Sequence, residues 1–421
     1  MSGMVNGIKK RILKTKAGKA LYKRAKKIYR FMHLKVIYPR LYTNSIDKKS
    51  NSVDANKAKL KKAVFVAVRN EEFKEESIPD NFRLVYKRLV KTGTYRISTH
   101  TLRSGFAGHK EYALRCKAMI RDIADADVVL ISDSSEVIAC LPLRKETRVI
   151  QLWHACGAFK KFGMSTAELI FGEDRKTLMK YPYHGNYSLV TVSSPEVVWA
   201  YEEAMSLEGK GVVKPVGVSR TDVFYDEEFL RQAKERVLKA CPKAVDKKII
   251  LYAPTFRGRV AKAHTPEELD VAEFYKRYSK EYVLIIKRHP FTKRMYPIPE
   301  KAAEFAFDVT DELAIEDLLI AADVCITDYS SIVFEYSLFL RPMLFLAHDI
   351  DEYYDWRGFY YDYRDFVPGP ICRNNADLMN ELDKVTKEFD SAVVKRFRDR
   401  YMSACDGHAT DRIMEYIFQG S

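Results

Sequence analysis

His154 closes the apolar run TRVIQLWH (147–154) and is followed by the small residues Ala155-Cys156-Gly157-Ala158 and then by Lys160 and Lys161. An imidazole with an ordinary pKa near 6.5 is mostly neutral at pH 7 and can take a proton from a hydroxyl. Small neighbours let backbone and substrate approach closely, and the lysines add positive charge. Two other readings fit the same residue, a histidine that simply ends a strand and a metal ligand. A fourth chemistry makes Cys156 a thiolate nucleophile with His154 as partner. Side chains two residues apart rarely aim at one another, and no Asn or Asp orienter is evident here.

Three further constellations follow. In LYAPTFRGR (251–259), Thr255 and Arg257 stand beyond a strand, and a guanidinium can grip a phosphate through two parallel hydrogen bonds. In LIIKRHPF (284–291), Lys287, Arg288 and His289 crown an apolar strand that Pro290 stops, a seat for a diphosphate. In ITDYSSIVFEYSLFLRP (326–342), the strand ends in Thr327-Asp328-Tyr329-Ser330-Ser331 and a helix follows. Ser330 and Ser331 would cap that helix and, with its first N–H groups, hold an anion. Glu335, one turn on, is placed to reach ribose hydroxyls. Taken singly, each also reads as an ordinary loop or a capped helix.

The elements that must carry these residues are short apolar runs bounded by turn residues. They are 63–68, 126–133, 147–154, 187–194, 212–220, 248–255, 282–290, 322–331 and 342–349. Most are continuously apolar, as strands covered on both faces are, and helix-length stretches such as 111–123 and 227–240 separate several of them, a parallel α/β pattern. The polar residues fall just after the strand ends: Asp133-Ser134-Ser135, His154, Ser193-Ser194, Ser219-Arg220, Thr255, Arg257, His289 and Asp328. Ligands of open parallel sheets bind outside those carboxyl edges. The expectation is an α/β chain with two facing Rossmann-like domains around a nucleotide-donor cleft. Residues 50–220 form an acceptor domain, 221–400 a donor domain, and 401–421 a segment that packs back on the body.

A chain of 421 residues exceeds what one core usually organises. Its seven cysteines are scattered without a CxxC pair, which argues against a zinc cluster or a disulfide framework. No run of about 18 apolar residues is present to cross a membrane, and the N-terminus lacks a signal-peptide core. The net charge of +14 is localised: residues 1–49 hold fifteen Lys/Arg against one acid, Asp47, so this segment carries the whole excess. Leu21, Ala25, Ile28 and Met32 make one helical stripe opposite Lys23, Lys26, Lys27 and Arg30. A basic amphipathic helix suits an anionic membrane surface, each cation contributing roughly 1 kcal/mol. A solvated arm or a docked helix is the plainer alternative. Nucleic acid is not expected as a partner, since nothing else in the chain supports it. The stretch 47–62 reads as a linker.

QLWHACGAFKKFG, LYAPTFRG, KRHP, TDYSSIVFEYSLFLRP and DGHATDRI, in this order over about 130–420, resemble the CDP-glycerol glycerophosphotransferase family, which builds wall teichoic acids and related polyol-phosphate polymers. The resemblance implies a GT-B-like fold bound peripherally at the cytoplasmic face of the cell membrane. It implies transfer of glycerol phosphate from CDP-glycerol to a hydroxyl of a lipid-linked acceptor, an undecaprenyl-diphosphate disaccharide or growing polymer, with release of CMP. CDP-ribitol and a GT-B nucleotide-sugar transfer are the alternatives. By the same resemblance His154 is the base and His289 contacts the donor diphosphate. Thr255, Arg257, Lys287, Asp328, Ser330, Ser331 and Glu335 line the CDP site, and Trp153, Gly157, Lys160, Asp406 and Arg412 are further motif positions. Where chain-extending members read W-H-G-T, this chain has Ala155-Cys156, closer to the priming type. No acidic pair is placed to hold a metal, so no cofactor or obligatory ion is expected.

Overall fold

The computed structural model describes residues 15–50, 60–69, 78–167, 169, 172–258 and 263–419, without the side chains of 49–50 and 354–357. The first fourteen residues of the basic segment and residues 51–59 of the linker reading lie outside the described residues.

Twelve strands build two six-stranded sheets among the described residues. The first holds β1 (Lys61–Ala67), β2 (Tyr95–Thr101), β3 (Val128–Ile131), β4 (Arg148–Gln151), β5 (Leu189–Thr191) and β6 (Val213–Lys214), in the order β2-β1-β3-β4-β5-β6. The second holds β7 (Lys248–Tyr252), β8 (Tyr282–Ile286), β9 (Ala306–Asp308), β10 (Val324–Thr327), β11 (Met343–Leu346) and β12 (Ile371–Cys372), in the order β12-β11-β10-β7-β8-β9. The ladders are parallel, Ala63 pairing with Val128 in one sheet and Tyr252 with Ile286 in the other. This is the α/β architecture with two Rossmann-like sheets that the apolar runs foretell.

The continuous apolar runs have a physical cause. All five residues of β8 are buried, because helices cover both faces of a parallel sheet. On one face of the second sheet, alternate residues Ile250, Tyr252, Leu284, Ile286, Val324, Ile326, Leu344 and Leu346 share a core with Phe274, Tyr278, Leu378 and Leu382 of flanking helices. Each such side chain contributes about 1.5–3 kcal/mol on burial. The helix Glu227–Ala240 begins where Asp226 accepts the Phe229 N–H at 3.0 Å, and it buries Ala233 and Val237.

Strands end earlier than the apolar runs. The run 147–154 pairs only as far as Gln151, which leaves Trp153 and His154 on a loop. The run 212–220 keeps two strand residues: Pro215 has no N–H to give a ladder. Gly217 then turns the chain at φ +90° where a Cβ would sit 2.2 Å from the Ala404 carbonyl oxygen.

The chain divides into two compact units, one made of Met1–Pro79, Lys87–Gln151 and Glu173–Leu189, the other of Asp80–Tyr86, Leu152–Gly172 and Val190–Ser421. Within the first, the basic helix runs Lys16–Phe31 and continues through a π-helical turn, Met32–Ile37, into a helix over Tyr38–Ser50. Arg30 forks onto Glu136 and Glu173, both at 2.7 Å, while Leu34, Tyr38 and Tyr42 are buried. Leu21 and Ile28, by contrast, are 65% and 55% exposed. The segment is therefore docked from Arg30 onward and presents its apolar stripe to solvent before that point. Among the described residues, no helix is long and apolar enough to cross a membrane.

Candidate functional site

All the motif residues singled out above lie in the second unit. The chain leaves β4 with the Leu152 carbonyl accepting from Asn81 Nδ2 at 2.8 Å. The Trp153 indole is buried, stacked on Phe162 at 5.2 Å and edge-on to Tyr201 at 6.3 Å. The His154 ring leans on that indole at 4.6 Å and is exposed. Next, Gly157 adopts φ +62°, a conformation that disfavours any side chain, and a Cβ there would lie 2.1 Å from the Phe334 ring. Its N–H donates to Ser193 Oγ at 2.9 Å and its carbonyl accepts from Tyr201 Oη at 2.8 Å. The loop that carries His154 thus touches the SSIVFEYS segment through Gly157 and Phe334. Cys156 is 1% exposed, and a hydrogen bond with Cys405 followed by burial pushes its thiol pKa well up. A thiol held protonated is no nucleophile, so that chemistry is set aside. Lys160 lies 5.3 Å over the Tyr353 ring.

At the ends of β7 and β10, Asp328 is 2% exposed and accepts from the Thr255 N–H at 2.8 Å, from Thr255 Oγ1 at 2.9 Å and from Arg257 at 2.9 Å. The other edge of the Arg257 guanidinium grips Asp349 at 2.5 and 3.0 Å. Burial opposes the charge of Arg257, but the two carboxylates outweigh it and hold its pKa above the ordinary 12.5. Tyr329 donates to Asp349 at 2.9 Å and stacks on Tyr353 at 3.9 Å beneath the guanidinium. Arg257 therefore comes to this edge already forked onto protein carboxylates.

The KRH triplet after β8 splits in the same way. Lys287 Nζ turns to the carbonyls of Thr310 and Leu313 at 2.7 and 2.5 Å, and burial lowers its pKa. Arg288, 2% exposed, meets the buried Asp308 at 2.5 Å and the Thr292 carbonyl at 2.8 Å. The half-buried His289 is held by its own turn: Nδ1 accepts the Phe291 N–H at 3.2 Å, which places the ring proton on Nε2. Phe256 and Phe291 flank the ring, each at 4.7 Å. Ser330 Oγ accepts from Ile332 N–H at 3.4 Å, and Ser331 precedes the helix Ile332–Ser337 without a side-chain cap. Glu335, 1% exposed, is ion-paired to Arg220, whose other nitrogen meets Glu316 at 3.0 Å.

Asp406 and Arg412 form a fork with each other at 2.7 and 3.0 Å, and Arg412 also donates to the carbonyls of Val216 and Ala404. These two tie backbone segments together. The structure thus gathers Trp153, His154, Gly157 and Lys160 on one loop, and Thr255, Arg257 and Asp328 in one buried network. Asp349 and Tyr329 complete the second group, and Arg220 holds Glu335 in a separate ion pair. Asp349 and Arg220 stand beyond β11 and β6, the strand-end position that marks the others. No group of three His, Cys, Asp or Glu side chains that could hold a metal occurs among the described residues.

A model of the CDP-glycerol:poly(glycerophosphate) glycerophosphotransferases matches residues 50–419. The chain is 36% identical over 352 residues to the teichoic acid ribitol-phosphate primase of Bacillus spizizenii, covering 82% of this chain and 89% of that protein. It is 32% identical over 296 residues to the teichoic acid glycerol-phosphate primase of Bacillus subtilis, 69% of this chain and 73% of that one. With the poly(ribitol-phosphate) polymerase of B. spizizenii the identity is 35%, and the match spans 54% of that longer protein. Among solved structures, the wall teichoic acid polymerase TagF superposes with a TM-score of 0.69 at 22% identity, over 94% of this chain and 98% of the other. A UDP-N-acetylglucosamine 2-epimerase of Listeria monocytogenes gives 0.52 at 12% identity over 86% and 98%. The fold is α/β and GT-B-like, and the chain belongs to the CDP-glycerol:poly(glycerophosphate) glycerophosphotransferase family.

Proposed function

We propose that the chain transfers a polyol phosphate from a CDP-activated polyol to a hydroxyl of a lipid-linked acceptor in teichoic acid synthesis, with His154 as general base. The observation that carries this reading is the exposed His154 imidazole, resting on a buried tryptophan, on a loop seated through Gly157 on Phe334 of the SSIVFEYS segment. His154 takes the proton of the acceptor hydroxyl as its oxygen bonds to the β-phosphorus. The phosphoanhydride bond breaks, CMP leaves and a phosphodiester remains. Positioning and charge stabilisation supply most of such a rate enhancement. His289, with its proton on Nε2, offers a donor to the diphosphate oxygens.

The relatives favour ribitol over glycerol: identity to the ribitol-phosphate primase is higher, and the match is longer, than to the B. subtilis glycerol-phosphate primase. The description of the family keeps CDP-glycerol as the second reading. Ala155-Cys156 after Trp153-His154 supports priming of the polymer. Incubation with CDP-ribitol or CDP-glycerol and a lipid-linked acceptor should release CMP, faster from CDP-ribitol; no CMP from either sinks the proposal. His154→Ala is expected to lower kcat by roughly 10²–10⁴-fold.

The exposed apolar residues Leu21 and Ile28 on the basic helix support a seat on an anionic leaflet at the cytoplasmic face. Reversing the charges of Lys23, Lys26 and Lys27 should abolish sedimentation with anionic vesicles, and unchanged sedimentation removes that part of the reading.

A further inference from the structure

His154 reaches solvent from a loop whose backbone is held by two buried hydroxyls. Ser193, two residues beyond β5 and 1% exposed, accepts the Gly157 N–H at 2.9 Å and donates its own O–H to the Tyr401 carbonyl at 2.7 Å. The same serine's carbonyl accepts from the Ala404 N–H at 2.9 Å. Tyr201, on the helix Val198–Met205 and 2% exposed, donates to the Gly157 carbonyl at 2.8 Å and stands 3.3 Å from that of Ala155. Its ring packs edge-on against both Trp153 and Phe162, the two rings behind the imidazole. One peptide plane on each side of Gly157 is thereby fixed, and the Phe334 ring blocks the third direction.

A glycine at φ +62° has no side chain to hold it there, and left to itself it would sample other backbone states. Buried hydroxyls with defined partners remove that freedom. The segment 401–404 that anchors Ser193 is in turn pinned through Arg412, which donates to the Ala404 carbonyl and forks onto Asp406. The residues of the last motif thus connect, through Ser193, to the loop of the first.

We infer that Ser193 and Tyr201 are positioning residues for His154, and that they set its aim by fixing the two peptide groups of Gly157. This inference rests on the reading of His154 as base. It assigns Ser193, a strand-end polar residue with no place in the donor motifs, and Tyr201, which no motif marks.

The test is a double-mutant cycle on CMP release from the CDP-polyol. Tyr201→Phe keeps the ring and removes the hydroxyl. It should lower kcat on the order of 10-fold or more, as small misplacements of a catalytic group do, with KM for the donor unchanged. In the His154→Ala background the same substitution should lower kcat no further, since a residue that acts through His154 has nothing left to act on. Ser193→Ala should behave alike, and it decides the matter where Tyr201→Phe fails to fold. An unchanged kcat in Tyr201→Phe and Ser193→Ala, or full losses that add to that of His154→Ala, overturns the positioning role. A His154→Ala enzyme that turns over normally instead overturns the base reading itself.

Discussion

At the ends of β3 and β4, Gln151, the last residue of β4, donates from Nε2 to the Asp133 carbonyl and to the Tyr187 hydroxyl, each at 3.2 Å, and that hydroxyl meets His184 Nδ1 at 3.1 Å. Beyond β7 and β10, Arg257 lies between Asp328 and Asp349, with Thr255 filling the remaining valences of Asp328. Both groups stand at the carboxyl edge of a parallel sheet, and both are largely buried. The first is joined by uncharged hydrogen bonds. Burial lowers the pKa of the His184 imidazole, which favours its neutral form. The second is joined by charge, and the three ionic partners sum to one net negative. A donor diphosphate that enters there meets no bare Arg257. At the second edge Arg257, Lys287 and Arg288 are thus all committed to protein partners, whereas the Gln151 group at the first edge is joined without such pairs.

The largest effect expected from this difference is on stability. Asp328→Ala leaves Arg257 with one carboxylate and removes two hydrogen bonds from Thr255, in a place where Asp328 is 2% exposed. Breaking one side of a buried pair costs about 3–5 kcal/mol. Urea unfolding should show that loss; a change of less than about 1 kcal/mol would mean the network is slack and its charges available to a ligand.

The neutral edge breaks by acid instead. Burial lowers the pKa of His184 from 6.5 to about 4. A histidine with a depressed folded-state pKa gives stability that is whole above pH 6.5 and is lost as pH falls toward 4. By pH 5 the first unit should have lost about 2 kcal/mol from this residue alone. Comparing urea midpoints at pH 7 and pH 5 for the wild type and His184→Gln checks it: the substitution should flatten the difference, and an equal drop in both proteins refutes the assignment.

Much of this was legible in the sequence where one periodicity prevails. The second sheet's strands from β7 to β11, β9 aside, announce themselves as unbroken apolar runs, and the helices near 111–123 and 227–240 lie where the spacing places them. β2 was missed because YRISTHT pairs with β1 alone, and its residues are mostly part-exposed, so no apolar run forms. The short β9 and β12 give too few residues for a pattern. For the site, strand-end position marked His154, Thr255, His289 and Asp328 correctly as edge residues. It does not disclose partners. That Lys287 turns to two carbonyls, that Arg257 is forked by Asp349 from a distant strand end, and that Glu335 meets Arg220 follow from tertiary packing, to which a linear pattern is blind.

The smallest effect separates two neighbours that sequence treats alike. Lys287 and His289 both crown β8, yet the lysine spends its donors on Thr310 and Leu313. The histidine, held from within its own turn, keeps its proton on Nε2. If His289 is what the donor diphosphate meets, His289→Ala should raise KM for the CDP-polyol about tenfold, near 1.4 kcal/mol, and leave the unfolding midpoint in place. Lys287→Met should do the reverse, lowering stability by about 1 kcal/mol with KM unmoved. Steady-state kinetics and urea unfolding on the two variants give four numbers, and the crossed pattern is the prediction. Should Lys287→Met raise KM while His289→Ala leaves it unchanged, the lysine must turn away from its carbonyls when substrate binds, and the precommitted picture of this edge fails.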